Sequence, residues 1–296
     1  MRILILGASG MLGHSLFTNL PKYGHDVYGT IRLDKHNDFS RYKEKIFSNI
    51  DLTDSKLSQI KNIIQKIKPD YVINCIGIIK QKNISKDEST KELIYINSYL
   101  PKIIKGITEA CNVKLIHFST DCVFDGSKGN YSEESISDAK DMYGISKHNG
   151  ELSAQSSLTL RTSIIGHELN SSVSLLEWFL SKDGEAVEGY SNAIFSGLPT
   201  VYVAEVLDKF IFGSNLSGIY HLSVDPIDKY TLLSIIAKTY QKDIKLINNT
   251  DFKINRSLSS KKLSRNTGYN YLNWDDLITL MHKDRLNNKI YENKKN

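Results

Sequence analysis

Tyr143 and Lys147 stand four residues apart in Tyr143-Gly144-Ile145-Ser146-Lys147, downstream of the triplet Ser119-Thr120-Asp121. On a helix that spacing puts the phenol and the ammonium on one face. A nearby cation favours the phenolate, so Lys147 is expected to lower the tyrosine pKa from about 10 towards neutrality. The Thr120 hydroxyl can hold the substrate oxygen that receives the proton. Chance also produces Tyr-x-x-x-Lys on exposed helix faces, so the pair takes its weight from its surroundings.

The first of these is Gly7-Ala8-Ser9-Gly10-Met11-Leu12-Gly13, which follows the apolar run Ile3-Leu4-Ile5-Leu6. Glycines there allow a tight turn and close backbone approach to a pyrophosphate, and the helix that follows turns its positive end to that charge. The position, directly after a first strand, predicts dinucleotide binding. NAD-preferring sites usually carry an acid at the end of the second strand. Here that position falls near Ile31, and Arg32 follows, whose guanidinium suits a 2′-phosphate. Asp34 competes one turn on, so NADP is favoured and NAD is the alternative. Asp51 and Leu52, in Asp51-Leu52-Thr53-Asp54, can hold an adenine, or the segment can cap the next helix through Asp54 or Ser55.

These residues need a scaffold that presents strand ends side by side. Apolar runs at Val27 to Ile31, Lys45 to Ile50, Asp70 to Asn74, Lys114 to Ser119 and Leu158 to Ile165 read as strands. Helical patterns run over Met11 to Leu20, Leu57 to Ile67, Ser89 to Ala110 and Met142 to Ala154. The alternation predicts an α/β fold, a doubly wound parallel Rossmann sheet with ligand beyond the carboxyl ends of the strands. After Ile165 the rhythm breaks. One short helix, Leu175 to Leu180, precedes a helical stretch from Thr200 to Phe212 and a strand from Gly218 to Ser223, both expected to rejoin the sheet. Helices near Tyr230 to Tyr240 and Trp274 to Leu286 belong to a smaller, discontinuous lobe. The expected division is a dinucleotide-binding unit over 1–165, completed by about 198–224, and a substrate lobe over 166–197 and 225–296. The lysine- and asparagine-rich tail from Asn287 is expected to fray.

Composition describes an ordinary soluble globular protein. The 296 residues are 40% hydrophobic and 24% charged, with a net charge of +5 that suits an anionic ligand such as a nucleotide. A lysine-rich surface explains that charge equally well. No run approaches the ~18 apolar residues of a membrane span. The N-terminus enters an apolar run at once, so a secretory signal is not expected. Cys75, Cys111 and Cys122 are odd in number and lack metal-ligand spacing. A reducing cytoplasm is the expected location.

Together these motifs resemble the extended short-chain dehydrogenase/reductase family, and within it the dTDP-4-dehydrorhamnose reductase branch. The resemblance covers nearly the whole chain. It rests on Gly7-x-x-Gly10-x-x-Gly13, Asp51-Leu52-Thr53-Asp54, Asn74-Cys75-Ile76-Gly77, Asn97, and Ser119-Thr120-Asp121-Cys122-Val123-Phe124-Asp125-Gly126. It continues through Tyr143 to Glu151, Leu160-Arg161-Thr162-Ser163 and Gly197-Leu198-Pro199-Thr200. The resemblance implies NADPH-dependent reduction of the 4-keto group of a nucleotide-activated 6-deoxy sugar, in cell-surface polysaccharide synthesis. Tyr143 would be the general acid, Lys147 would hold the nicotinamide ribose, Thr120 would bond the carbonyl, and Ser119 would support the loop. The implied cofactor contacts are Gly7, Ser9, Gly10, Met11, Leu12, Gly13, Asp51, Leu52, Cys75, Ile76, Gly77 and Asn97. Asp121, Cys122, Asn192 and Arg256 would face the substrate. The implied partner is a nucleotide sugar, with no nucleic acid and no membrane, and a homodimer is open.

One departure stands out: Cys122 occupies the place where these reductases usually carry tyrosine. Dehydratases of the family have an acidic pair there, and cysteine does not do the work of their glutamate. GDP-fucose epimerase-reductases use a cysteine there with a histidine, and His167 lies near the matching place. A Cys122/His167 pair could move a proton beside a ketone; a small buried cysteine and a hydrogen-bonded loop histidine is the preferred reading. A non-catalytic reading also exists, because the branch resembles the regulatory β subunit of methionine adenosyltransferase. His117 is expected to be a satisfied core histidine. Tyr190 or Phe195 can stack a base or pack the small lobe. Arg256 can clamp a diphosphate or make a surface salt bridge. Trp274 is expected to pack the last helix.

Overall fold

The computed structural model describes residues 1–32, 37–52, 57–79, 86–169 and 171–294. The strands in chain order are β1 (Arg2–Leu6), β2 (Asp26–Thr30), β3 (Ile46–Phe47), β4 (Tyr71–Asn74), β5 (Lys114–Thr120), β6 (Ser157–Thr162) and β7 (Ile164–Ile165). Then come β8 (Ala186–Tyr190), β9 (Ala193–Phe195), β10 (Leu198–Pro199), β11 (Gly218–His221), β12 (Ile227–Asp228), β13 (Lys245–Asn249) and β14 (Ile254–Asn255). Seven of them build one sheet in the order β11-β6-β5-β4-β1-β2-β3, with every pairing parallel. The order reverses between β1 and β4, and that switch opens a crevice at their carboxyl ends.

Strand β1 shows why the sheet needs cover on both faces. Ile3 and Ile5 enter one core cluster and Leu4 and Leu6 the other, all four fully buried. The helices are α1 (Met11–Asn19), α2 (Leu57–Ile67), α3 (Lys86–Ile94), α4 (Leu100–Ala110), α5 (Met142–Asn149), α6 (Leu175–Leu180), α7 (Thr200–Val206), α8 (Lys229–Thr239), α9 (Lys261–Thr267) and α10 (Trp274–Asn287). Leu16 and Phe17 of α1, Val203 of α7 and Ile278 of α10 fill the first cluster, while Ile60 and Ile64 of α2 and Ile104 of α4 fill the second. Among the described residues no helix is long and apolar enough to cross a membrane.

Several expected elements differ. The stretch from Ser89 to Ala110 forms, but α3 and α4 are joined by a π-helical turn over Tyr95–Tyr99 that buries Asn97 and Ser98. Such a turn inserts one residue and re-aims its neighbours. The third strand is only Ile46–Phe47, and α5 stops at Asn149, followed by Gly150. The run Leu158 to Ile165 divides at Ser163, and β7 turns away to pair with β10. The small sheets β12-β9-β14 and β8-β13 were not legible, because strands of two to five residues carry too little alternation to stand out.

The tail does not fray. Lys289–Lys294 forms a 3₁₀ turn in which Ile290 and Tyr291 are buried. Asn288 donates to Thr18 Oγ1 at 2.8 Å, and the Arg285 guanidinium lies 4.9 Å from the Tyr291 ring centre. His14 Nδ1 contacts the Gly10 carbonyl at 2.8 Å, so that nitrogen carries the proton. His14 Nε2 then accepts from the Tyr291 hydroxyl, also at 2.8 Å. A polar-looking tail is thus stitched to the helix that starts at the glycine loop. Tyr291→Phe removes the donor to a buried nitrogen and is expected to lower unfolding free energy by about 1–3 kcal/mol, read by urea denaturation.

Candidate functional site

The glycine loop leaves β1 and enters α1, and close packing sets its residue types. A Cβ at Gly13 would overlap the Gly7 carbonyl oxygen, so a side chain there would push the helix off the turn. Gly10 is the extended N-cap, with no side chain capping the helix. The first amides of α1 therefore point out of the turn, as anion-binding helix ends do. The turn itself opens on a cleft of ≈ 330 Å³ lined by Ser9, Gly10, Arg32, Asp51 and Leu52. Arg32 is exposed there, 3.9 Å from Glu92. Sequence reasoning missed Glu92, whose place in the cleft depends on how α3 docks. The rival Asp34, and Thr53, Asp54 and Ser55, lie outside the described residues.

A second cleft, ≈ 460 Å³, is lined by Met11, Leu12, Thr120, Cys122, Tyr143 and Lys147 among others. Gly10 and the β4 strand end Cys75-Ile76-Gly77-Ile78 line both, so the two form one continuous groove across the switch point. Most expected cofactor positions and the expected catalytic trio line this one crevice, whereas Gly13 and the fully buried Asn97 do not.

Helix α5 delivers Tyr143 and Lys147. Asp141 caps it by accepting from the Gly144 amide at 2.8 Å. A Cβ at Gly144 would overlap the Cys122 carbonyl oxygen, so glycine lets the helix lie directly against the turn that follows β5. On its other side, Asn97 from the π-helical turn donates to Ser146 Oγ at 3.1 Å and brackets the Ile78 backbone through 3.1 and 2.9 Å bonds. Lys147 Nζ donates to the Phe118 carbonyl at 2.6 Å. Thr120 Oγ1 donates to Asp121 at 3.1 Å and accepts from the Cys122 amide at 3.2 Å. Behind them, Ser119 donates to Glu151 at 2.7 Å, and Arg161 meets both oxygens of that carboxylate at 2.7 Å.

The electrostatics correct one expectation. Burial pushes the Tyr143 phenol well up, the charges of Cys122 and Asp121 add to the rise, and Thr120 pulls the other way. Lys147 does not lower it, because its ammonium is directed to the Phe118 carbonyl and desolvation dominates at the phenol. Tyr143 is therefore a protonated acid at neutral pH. Burial draws Lys147 down to about 8, against the field of Glu151. The Cys122 thiol is pushed up to about 12, by burial first and then by Asp121, and stays protonated near neutrality. Burial also raises Asp121, with the Thr120 hydrogen bond opposing.

Other expected residues are distributed unevenly. Arg256 reaches the site: Nε donates to the Phe124 carbonyl at 2.9 Å and Nη1 to Cys122 Sγ at 3.3 Å. Asn192 does not line the groove; it is exposed and its amide ties to the Thr250 carbonyl at 2.8 Å. His167 is not joined to Cys122. Its Nδ1 meets Glu177 at 2.7 Å and its Nε2 meets the Tyr240 hydroxyl at 2.9 Å, inside the small lobe. His117 is only half satisfied: Nδ1 meets Asn74 at 3.2 Å, and among the described residues Nε2 has no partner. Phe195 packs Trp274, and Tyr190 packs Phe252. Thr162, Ser163 and Glu168 line the groove without having been singled out, although the first two close the Leu160-Arg161-Thr162-Ser163 run.

Comparison with known proteins follows this geometry. The family model described as RmlD substrate binding domain matches residues 1–284. A dTDP-4-dehydrorhamnose reductase of Aggregatibacter actinomycetemcomitans is 30% identical over 238 residues, 76% of this chain and 74% of that protein. A methionine adenosyltransferase 2 subunit beta of Xenopus laevis is 28% identical over 152 residues, 51% of this chain and 41% of that protein. Among solved structures, a dTDP-4-dehydrorhamnose reductase of Bacillus anthracis in complex with NADP superposes with a TM-score of 0.75 at 21% identity, covering 96% of this chain and 99% of that one. Other chains of this fold were solved with NAD. The fold is that of the short-chain dehydrogenases/reductases.

The Lys147 shift has a definite sign. Its folded pKa of about 8 lies below the unfolded value of about 10.4, so between those values the unfolded state binds more protons. Stability from this group rises with pH across that window, and the penalty is present in full below it. Urea unfolding at pH 7 and pH 9.5 is expected to show a smaller gain on raising the pH in Lys147→Met than in the unsubstituted protein.

Proposed function

We propose, on the premise that the chain belongs to the RmlD substrate binding domain family, that it is an NADPH-dependent reductase of the 4-keto group of a nucleotide-activated 6-deoxy sugar. The observation that carries this reading is the single groove in which Gly10, Met11 and Leu12 face Thr120, Tyr143 and Lys147. The curated relative from A. actinomycetemcomitans is named for such a reduction. The uncapped start of α1, Arg32 and Asp51 fit a dinucleotide: amides and a guanidinium for phosphates, a carboxylate for hydroxyls or adenine. Arg32 favours NADP, and Glu92 beside it keeps NAD as the alternative.

The dihydronicotinamide, when bound, supplies hydride to the carbonyl carbon. This chain's own residues then manage the oxygen. The Thr120 hydroxyl, on turning its proton from Asp121 to the carbonyl oxygen, orients the substrate and stabilises the charge that develops there. Tyr143, kept protonated by burial, donates its phenolic proton to that oxygen. The Lys147 ammonium, held by the Phe118 carbonyl, would hold the ribose hydroxyls. Residues 1–165 with about 198–224 would form the cofactor unit, and 166–197 with 225–296 would close over the sugar nucleotide, with Asp121, Cys122 and Arg256 facing it. Cell-surface polysaccharide synthesis in the cytoplasm is the matching role. Epimerisation through Cys122 and His167 is disfavoured, because the thiol stays protonated and both imidazole nitrogens are engaged elsewhere.

The test is NADPH oxidation with dTDP-, UDP-, GDP- and CDP-linked 4-keto-6-deoxy sugars, run in deuterated water. Turnover with one of them is expected, with no solvent deuterium at a carbon beside the ketone. Tyr143→Phe is expected to reduce turnover by about 10²–10⁴-fold while NADPH still binds. Tight binding of a partner enzyme with no turnover on any substrate would favour the regulatory-subunit reading that the methionine adenosyltransferase relative suggests.

A further inference from the structure

We infer that Lys229, acting with Arg256, is a second cationic contact for an anionic oxygen group of the substrate, beside the Thr120–Cys122 turn. The inference rests on the sugar-nucleotide reading and deepens it. Its basis is the small sheet β12-β9-β14. Ile194 of β9 pairs with Asp228 of β12 on one side and with Asn255 of β14 on the other. The residue that follows each flanking strand is a cation, Lys229 at the start of α8 and Arg256 just past β14. Because β12 runs antiparallel to β9 and β14 parallel to it, Arg256 falls beside Phe195 and Lys229 beside Ala193, and the Lys229 ammonium reaches back over the Phe195 ring.

Arg256 is anchored against the site by its bonds to the Phe124 carbonyl and Cys122 Sγ, while its third nitrogen lies 3.8 Å from Asp141. Lys229 is held differently. Its ammonium sits 4.1 Å from the centre of the Phe195 ring, and among the described residues it makes no hydrogen bond and no ion pair. Burial draws its pKa down to about 8 against the field of the Asp121 carboxylate, next to Thr120, which locates it on the reaction side. Asp121 already accepts the Thr120 hydroxyl.

A lysine withdrawn from water without a carboxylate is costly, and one aromatic face offsets only part of that cost. An arriving anion offsets the remainder, and the pair of cations gives it a guanidinium fork and a point charge. The anionic oxygen group that fits is the diphosphate joining sugar to nucleoside, since a 6-deoxy sugar carries a methyl and no carboxylate at C6.

Calorimetric titrations with NADPH present would compare the unsubstituted protein, Lys229→Met and Lys229→Arg. The first probes are dTDP, UDP, GDP and CDP; the tightest base is then taken as free nucleoside, nucleoside-diphosphate hexose and nucleoside-diphosphate hexuronate. Lys229→Met is expected to weaken the nucleoside diphosphate about tenfold or more, Lys229→Arg to retain most of the affinity, and the nucleoside to be unaffected. A loss confined to the hexuronate places the anion on the sugar and overturns both the diphosphate contact and the 6-deoxy substrate. Affinity in the unsubstituted protein should also fall more steeply with salt than in Lys229→Met. Equal affinities for every charged probe overturn the role of Lys229 and leave the reductase reading standing. Failure of all four diphosphates to bind the unsubstituted protein overturns the sugar-nucleotide reading, and this inference with it. Far-ultraviolet circular dichroism of each variant separates lost binding from lost folding, and Lys229→Gln replaces Lys229→Met if the latter does not fold.

Discussion

The Glu151 carboxylate is the interaction on which the site most depends. It receives Arg161 from β6 at both oxygens, Ser119 from β5, and His148 from α5 at 2.9 Å. Of those elements β5 carries Thr120 and α5 carries Tyr143 and Lys147, and β6 braces both through Arg161. Burial alone would push this carboxyl up, but hydrogen bonds and charge from Arg161, with Ser119 and His148, hold it below the usual carboxylate range. A buried ion pair adds little net stability over a well-packed apolar substitute, yet removing one partner leaves an uncompensated charge worth about 3–5 kcal/mol. The pair therefore fixes geometry more than it adds stability. Arg161 extends the lock by lying 5.2 Å from the Phe124 ring centre, behind the turn that Arg256 also grips.

Around that lock, the crevice is a place where polar groups are kept dry. Lys147, Thr120, Asp121 and Asn97 are all buried, and most of their capacity is met by backbone atoms at strand ends. A parallel sheet makes this workable, because at the switch point the strand ends diverge and leave carbonyls and amides facing one gap. The same dryness governs the chemistry. It keeps the Tyr143 phenol and the Cys122 thiol protonated and loosens the proton on Lys147.

How much was legible depended on element length. Ile3 to Leu6, Asp70 to Asn74 and Lys114 to Ser119 announced themselves because strands buried on both faces are continuous apolar runs. The helix over Leu57 to Ile67 showed because Ile60, Ile63, Ile64 and Ile67 repeat at helical spacing. The small lobe hid because β12 and β14 are two residues each and find their register only against β9. The tail misled for a related reason: among lysines and asparagines, Ile290 and Tyr291 form no period, and only docking on α1 buries them.

The types and spacings that local chemistry demands were in the sequence alone. A glycine turn after a first strand, a threonine at the end of β5 and a Tyr-x-x-x-Lys on a helix are short-range patterns, and short-range sterics enforce them. Which charges share an environment was decided by the tertiary structure. Lys147 turned from Tyr143 to the Phe118 carbonyl, His167 was taken by Glu177 and Tyr240, and Lys229 was carried 107 places along the chain to the vicinity of Cys122. Desolvation and long-range pairing set those outcomes, and neither has a period that a sequence can display.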